Sequence, residues 1–139
     1  MDLDWQNSTE LASCALDSNI YLWSITQDQP LRVWRGHQGN LNLVKWDPAG
    51  SLLASCSEDD VIYLWSPKQN EAVKAFKGHE SSVNNIKWNN HPFQSHAGGA
   101  QNILGAYPTP IIASAGRDQT IRLWDVEYGK CIMTLKGHE

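Results

Sequence analysis

The stretch LASCSEDDVIYLW, residues 53–65, decides the fold of this 139-residue chain, because two close copies of it occur elsewhere. The copies are LASCALDSNIYLW at residues 11–23 and IASAGRDQTIRLW at residues 112–124. In each copy a Ser lies four residues before an Asp and ten residues before a Trp. Repetition at fixed spacing is typical of proteins built from one structural unit used several times.

Gly-His pairs outside these stretches show the same period. They lie at residues 36–37, 78–79 and 137–138, so their intervals are 42 and 59 residues, as for the three Trp landmarks. The 17 additional residues of the second interval fall in residues 89–110, which follow Trp88, whereas only residues 47–51 connect the runs after Trp46. One loop insertion therefore explains the irregular period, and it costs little because loop-closure entropy grows only logarithmically with length.

Each repeat contains four short apolar runs separated by turn residues. In the second repeat the predicted strands are Asn42–Trp46, Leu52–Cys56, Val61–Trp65 and Val73–Lys77. Runs of about five residues rich in Val, Ile, Leu and Trp favour strands, and Asp47-Pro-x-Gly50 favours a turn between the first two. Four strands in 40–45 residues are typical of one blade of a β-propeller.

We therefore predict an all-β fold, a partial propeller of about three four-stranded antiparallel blades within residues 1–139. The predicted repeats are residues 1–35, 36–77 and 78–136, the last with the insertion 89–110, and residues 137–139 begin a fourth. The first repeat lacks its Gly-His pair. Because blades bury their faces against neighbouring blades, we expect the chain to be part of a longer propeller.

These patterns resemble the WD-repeat family. The resemblance lies in Gly-His, then Leu-Ala-Ser before a turn Asp, then an apolar strand that ends in Trp, and Trp124-Asp125 keeps the dipeptide that names the family. Trp23-Ser24 and Trp65-Ser66 depart from that dipeptide. The resemblance implies a β-propeller that serves as a platform for other proteins.

The recurring Ser, His, Asp and Trp allow two interpretations. One is a catalytic triad. The other, which the family resemblance implies, is a buried chain of hydrogen bonds from Trp to Ser to His to Asp. A triad is needed only once, whereas this set recurs, so recurrence favours the structural interpretation. The predicted members are His37, Ser55, Asp59 and Trp65 in repeat two, His79, Ser114, Asp118 and Trp124 in repeat three, and Ser13, Asp17 and Trp23 in repeat one.

Other residues give little sign of chemistry. We predict no catalytic residues, cofactor, metal or small-molecule substrate. Cys14 and Cys56 occupy equivalent positions where the third repeat has Ala115, which favours small core residues, and His91 and His96 in the insertion lack further zinc ligands. The tryptophans are expected to pack in the core, and so are the residues three before the His of each Gly-His pair, namely Trp34, Phe76 and Leu135.

Composition restricts the partners. With 11 Lys and Arg against 15 Asp and Glu, the net charge of −4 and the lack of a basic cluster disfavour direct nucleic-acid binding. No run approaches the roughly 18 apolar residues of a membrane span. Side chains that vary between repeats are the candidate contacts for a partner protein: Leu16, Glu58 and Arg117 before the turn Asp, and Asn40, Asn42, Ser82 and Asn84 after Gly-His.

A finer resemblance is to transducin-beta-like proteins, WD-repeat subunits of corepressor and histone deacetylase complexes. It is carried by Asp4-Trp5-Gln6, Lys45-Trp46-Asp47-Pro48, Leu52–Ser57, Gln27–Pro30, Leu123–Val126 and an oversized loop at the same place. The resemblance implies a non-enzymatic scaffold whose partners are a corepressor, a histone deacetylase and, as further candidates, histone tails or other peptides. It implies a nuclear location, with the cytoplasm as the alternative. A substrate adaptor of a ubiquitin ligase, or another multiprotein scaffold, is the alternative function.

Overall fold

The computed structural model describes residues 1–89 and 110–138, which form β-strands joined by turns. The strands are β1 Asp2–Trp5, β2 Glu10–Cys14, β3 Asn19–Ser24, β4 Arg32–Arg35, β5 Leu41–Trp46, β6 Leu53–Ser57, β7 Val61–Trp65, β8 Ala72–Lys77, β9 Val83–Trp88, β10 Ile111–Gly116, β11 Thr120–Asp125 and β12 Lys130–Lys136. They form three antiparallel four-stranded sheets, β1–β4, β5–β8 and β9–β12. The prediction of an all-β partial propeller is confirmed. No helix in the described part could cross a membrane.

The strand bounds of the second sheet follow the sequence pattern closely. Val61–Trp65 agrees at both ends, and β5 and β8 each begin one residue before the predicted run. β6 is shifted by one residue, because Asp47 accepts the backbone N–H of Leu52 and so keeps Leu52 in the turn. The predicted turn forms there, with Gly50 at a φ of 72°.

The turn between the second and third strands has one geometry in all three sheets. The residue after the landmark Asp adopts a left-handed backbone conformation, with φ of 63° at Ser18, 69° at Asp60 and 65° at Gln119. The strands on either side of each turn pair in equivalent register. Cys14 pairs with Ile20, Cys56 pairs with Ile62, and residue 115 pairs with residue 121. The three turns therefore present their side chains in the same way.

The turn between the third and fourth strands explains why Trp-Ser replaces Trp-Asp in two repeats. In the third sheet Asp125 accepts the backbone N–H groups of Glu127 and Tyr128. Ser24 accepts the N–H of residue 26, and Ser66 that of residue 68, at 3.3 and 3.2 Å. A serine hydroxyl thus makes the equivalent local hydrogen bond, which is a common use of Ser and Asp in turns.

The core consists of two apolar layers, each between neighbouring sheets. Trp34, Trp46 and Trp65 fill the layer between the first and second sheets. Phe76 stacks on Trp124 in the layer between the second and third, with ring centroids 5.4 Å apart. Burial of such large aromatic side chains supplies much of the stabilisation of a core.

Two predicted core positions are wrong. Trp5 is 52% exposed and Leu135 is 45% exposed, and Trp23 is only half-buried. Their equivalents Trp46 and Phe76 are buried because another sheet covers them, whereas no described residues cover those faces of the first and third sheets. Residues 90–109, which contain most of the predicted insertion with His91 and His96, lie outside the described residues.

Candidate functional site

The second sheet brings together His37, Ser55, Asp59 and Trp65. The indole Nε1–H of Trp65 donates to Ser55 Oγ over 2.8 Å, and Ser55 Oγ lies 2.7 Å from His37 Nε2. His37 Nδ1 lies 2.9 Å from Asp59 Oδ2, which also accepts the backbone N–H of Gln38. The strand pairing of β6 with β7 aligns Ser and Trp, while the Gly-His loop carries the imidazole to them.

The third sheet repeats this arrangement. Trp124 Nε1–H donates to Ser114 Oγ over 2.8 Å, His79 Nε2 lies 2.7 Å from the same oxygen, and His79 Nδ1 lies 2.8 Å from Asp118 Oδ2. Thr120 also donates its hydroxyl to Asp118. Each distance agrees with its equivalent in the second sheet within about 0.1 Å.

The first sheet contains a shorter version. Trp23 Nε1–H donates to Ser13 Oγ over 2.8 Å. Asp17 accepts the hydroxyl of Tyr21 over 2.9 Å and the backbone N–H of Asn19. In the described residues, therefore, Asp17 is bound to a tyrosine where Asp59 and Asp118 are bound to histidines.

The protonation states agree with the order of donors and acceptors. Burial lowers the pKa of His37, which favours a neutral imidazole. Although burial alone would raise the pKa of Asp59, hydrogen bonds from Gln38 N–H and His37 hold it below its usual value. A neutral ring can donate from Nδ1 to Asp59 and accept the Ser55 hydroxyl at Nε2, which assigns its tautomer.

Asp118 is held ionised in a similar way. Burial by itself would raise its pKa, but hydrogen bonds from the backbone N–H of Glu80, the Thr120 hydroxyl and His79 lower it far below the ordinary range for a carboxyl group. An ionised acceptor strengthens the hydrogen bonds that it receives. The carboxylate thus anchors the Gly-His loop to the neighbouring turn.

The serines of these sets are poorly placed as nucleophiles. Ser55 is 0% exposed and Ser114 is 1% exposed. Each hydroxyl lies between an indole N–H and an imidazole, and a substrate could reach neither oxygen without opening the sheet. Such a network is well suited to fixing the position of a loop, because each member is matched to its donor and acceptor capacity.

The candidate contact residues differ in exposure. Leu16 is 74% exposed, and Glu58, Arg117 and Asn84 are also exposed. Asn40 is half-buried and donates to Glu58 Oε2 over 3.2 Å. These side chains lie on the edge of the sheets that also carries the Gly-His loops. We name the row formed by residues 16, 58 and 117 the turn row.

Asn42 and Ser82 serve contacts between sheets instead. Asn42 Nδ2 donates to the carbonyl of Val83 over 2.7 Å and to Ser82 Oγ over 3.2 Å. Ser82 is only 8% exposed, and its hydroxyl also contacts Asn84 Oδ1. Burial between the inner strands leaves little of the Ser82 side chain for a partner, contrary to the expectation from its variability.

Sequence reasoning missed a cationic contact that recurs between sheets. Arg32 on β4 donates to Asn70 in the next sheet, and the equivalent Lys74 on β8 donates to the carbonyls of Val126 (2.7 Å) and Glu127. We name this contact the outer clasp. Arg32 and Lys74 are half-buried and lie 42 residues apart, so the repeat period could have revealed the outer clasp.

Carboxylates of the first strand make a second unforeseen contact. Asp2 accepts the backbone N–H of Val44 over 3.1 Å, and Asp4 accepts that of Trp46 over 2.8 Å. These side chains satisfy N–H groups along β5 that its partner strand does not reach. No motif in the sequence signals such a contact.

The cysteines and the other polar residues are not arranged as a metal site. Cys14 and Cys56 are buried, and Cys131 is exposed. Within residues 1–89 and 110–138, no cluster of three or more His, Cys, Asp or Glu side chains has the geometry to hold a metal ion. The interpretation of Cys14 and Cys56 as small core residues agrees with their 1% and 0% exposure.

Comparison with known proteins identifies relatives of the chain. The chain is 55% identical over its whole length to the F-box-like/WD repeat-containing protein TBL1X of Mus musculus and 52% identical to TBL1Y of Homo sapiens. It is 40% identical, over 99% of its length, to the WD40 repeat-containing protein HOS15 of Arabidopsis thaliana. The chain covers 25%, 25% and 21% of those proteins, so it spans about a quarter of the length of the curated relatives it matches.

The model of the WD domain, G-beta repeat, matches residues 28–66 and 70–125. These ranges contain both complete hydrogen-bond chains and most of the strands of the second and third sheets. Fold, network and family match thus agree, and the chain belongs to the WD-repeat family, with transducin-beta-like proteins among its close relatives.

Proposed function

We propose that the chain forms part of a non-enzymatic protein–protein interaction scaffold in a nuclear complex of a transcriptional corepressor and a histone deacetylase. The observation that carries the scaffold role is the turn row, in which exposed residues of different chemistry stand on three turns of the same geometry. Binding residues are commonly placed on loops that a rigid scaffold positions. The hydrogen-bond chains beneath the row supply that rigidity.

The corepressor complex is supported by similarity. The segments that resemble transducin-beta-like proteins lie throughout the chain, and TBL1X and TBL1Y match all of it. On this proposal the partners are a corepressor, a histone deacetylase and, as further candidates, histone tails or other peptides. The nucleus is the proposed location.

The names of two relatives favour a second candidate function. Both TBL1X and TBL1Y are described as F-box-like. A substrate adaptor of a ubiquitin ligase would use the same turn row to bind its substrate. The two functions therefore differ in the proteins bound, and not in the surface that binds them.

Affinity purification of the tagged full-length protein from nuclear extract tests the proposal. We expect corepressor subunits and deacetylase activity in the eluate, and Glu58→Lys or Arg117→Glu should reduce their recovery. Glu71→Lys and Lys68→Glu make the same charge changes on exposed residues in the turn between β7 and β8, at the opposite edge, and should leave recovery unchanged. Recovery of ubiquitin ligase subunits without deacetylase would favour the adaptor, and recovery of neither class would refute both.

A further inference from the structure

The turn row is a geometrically uniform series. Each of its residues lies two positions before the left-handed residue of an equivalent turn. The backbone N–H of Glu58 donates to the carbonyl of Asn40 over 3.0 Å, and that of Arg117 donates to the carbonyl of Ser82, the equivalent residue, over 2.8 Å. Side chains 58 and 117 therefore leave the edge in the same direction, and the matching turn gives residue 16 that direction too.

The chemistry of the row changes in a definite order, from apolar to anionic to cationic. Leu16 is an apolar side chain that is 74% exposed. Glu58 lies in the acid-rich turn Ser57–Asp60, and a single Asn40 amide contacts its carboxylate. Within the described residues, no hydrogen bond or ion pair binds the guanidinium of Arg117, while the adjacent Asp118 is committed to His79.

We propose that the turn row binds one segment of a partner protein whose side chains follow the complementary order, apolar, then basic, then acidic. This inference rests on the proposed scaffold function and names the chemistry of its partner. Complementary charges specify partner and register more than they raise affinity. The basic residue of the partner must lie in the middle, whichever way the segment runs across the row.

The spacing of the sheets fixes the spacing of the segment. Neighbouring sheets that pack face to face lie about 10 Å apart. A polyproline II helix rises about 3.1 Å per residue with three residues per turn, so every third side chain lies on one face, about 9 Å from the last. A segment with contact residues at the first, fourth and seventh positions therefore matches the row.

Two synthetic peptides test this order on the full-length protein. The matched peptide has Leu, Lys and Glu in that order, each separated by two prolines, and the exchanged peptide has Leu, Glu and Lys in the same frame. We expect the protein to bind the matched peptide about fivefold more tightly at low salt, since each exposed ion pair contributes well under a factor of ten. Fluorescence anisotropy of the labelled peptides measures both affinities.

A double variant provides the decisive control. Exchange of the charges in Glu58→Lys with Arg117→Glu should invert the preference, whereas the pair Glu71→Lys with Lys68→Glu should leave it unchanged. Equal affinities for the two peptides, or a preference that the double variant keeps, would overturn the inference. If the preference inverts but no deacetylase copurifies, only the proposed complex fails; if deacetylase copurifies without any preference, only the order of the partner fails.

Discussion

One serine hydroxyl satisfies two buried partners in each complete network. Ser55 accepts the indole N–H of Trp65 and donates to His37, which leaves the Nδ1–H of the ring for Asp59. Four polar side chains are thereby buried in a largely apolar blade without an unsatisfied atom among them. The hydrogen bonds offset the desolvation cost of each side chain only while all four side chains are present, because an unpaired buried polar group is destabilising.

Removal of the Asp59 carboxylate, which ends the network of the second sheet, should therefore destabilise the folded protein. Asp59→Ala leaves His37 Nδ1–H and the backbone N–H of Gln38 without their acceptor, so we expect the free energy of unfolding of the full-length protein to fall by about 1–3 kcal/mol. Urea denaturation measures the change. Asp28→Ala is the control, because Asp28 is exposed and its carboxylate makes no hydrogen bond within the described residues, and it should cost about 0.5 kcal/mol or less. Unaltered melting of Asp59→Ala would refute the structural role of the network.

At the scale of the strand, sequence reasoning succeeds where the pattern is local. Alternating apolar residues and turn residues locate β7 at both ends and the other strands of its sheet within one residue. The hydrogen bond between Ser55 and Trp65 could also be predicted from the recurring Ser and Trp, because both residues lie on the β6–β7 hairpin. The outer clasp and the Asp4 contact to Trp46 lie between sheets. The repeat period relates Arg32 to Lys74, but the local pattern does not show which backbone groups of the neighbouring sheet lie opposite them. Exposure of Trp5 was mispredicted for the same reason.

The outer clasp should couple neighbouring blades. Lys74→Met keeps the length of the side chain but removes the donor to the carbonyls of Val126 and Glu127. We expect a loss of about 0.5–1.5 kcal/mol in the free energy of unfolding, together with faster hydrogen exchange in the turn after β11. Lys77→Met is the control, because Lys77 is exposed on the same strand and makes no such contact within the described residues. Equal effects of the two variants would show that the clasp carries no coupling.

At the scale of the whole molecule, the networks predict sensitivity to acid. The pKa of His37 is lowered from its ordinary value of 6.5, so the unfolded chain binds a proton that the folded protein resists. The contribution of His37 is complete above about pH 6.5 and declines as the pH falls through that value. Asp59 and Asp118 have pKa values below the ordinary 3.8, so their contributions are lost only at lower pH.

Stability should therefore fall in two stages on acidification. Between pH 7 and pH 5 the free energy of unfolding should decrease, by no more than about 1.4 kcal/mol per pH unit for one proton. A second decrease should begin near pH 4. Urea denaturation across this range checks both stages, and His37→Asn should flatten the first stage while keeping the second. A stability that rises between pH 7 and pH 5 would contradict the assigned neutral histidine.

The three cysteines differ in burial, so their rates of alkylation report on the opening of the folded protein. Burial raises the pKa of Cys56 to about 12 and also raises that of Cys14, so neither thiol offers a thiolate to an alkylating reagent while the first two sheets stay packed. Cys131 lies exposed on β12 and is available at once. Alkylation of the folded protein thus marks one site, and later modification of Cys14 and Cys56 times the opening of the first and second sheets without any introduced probe.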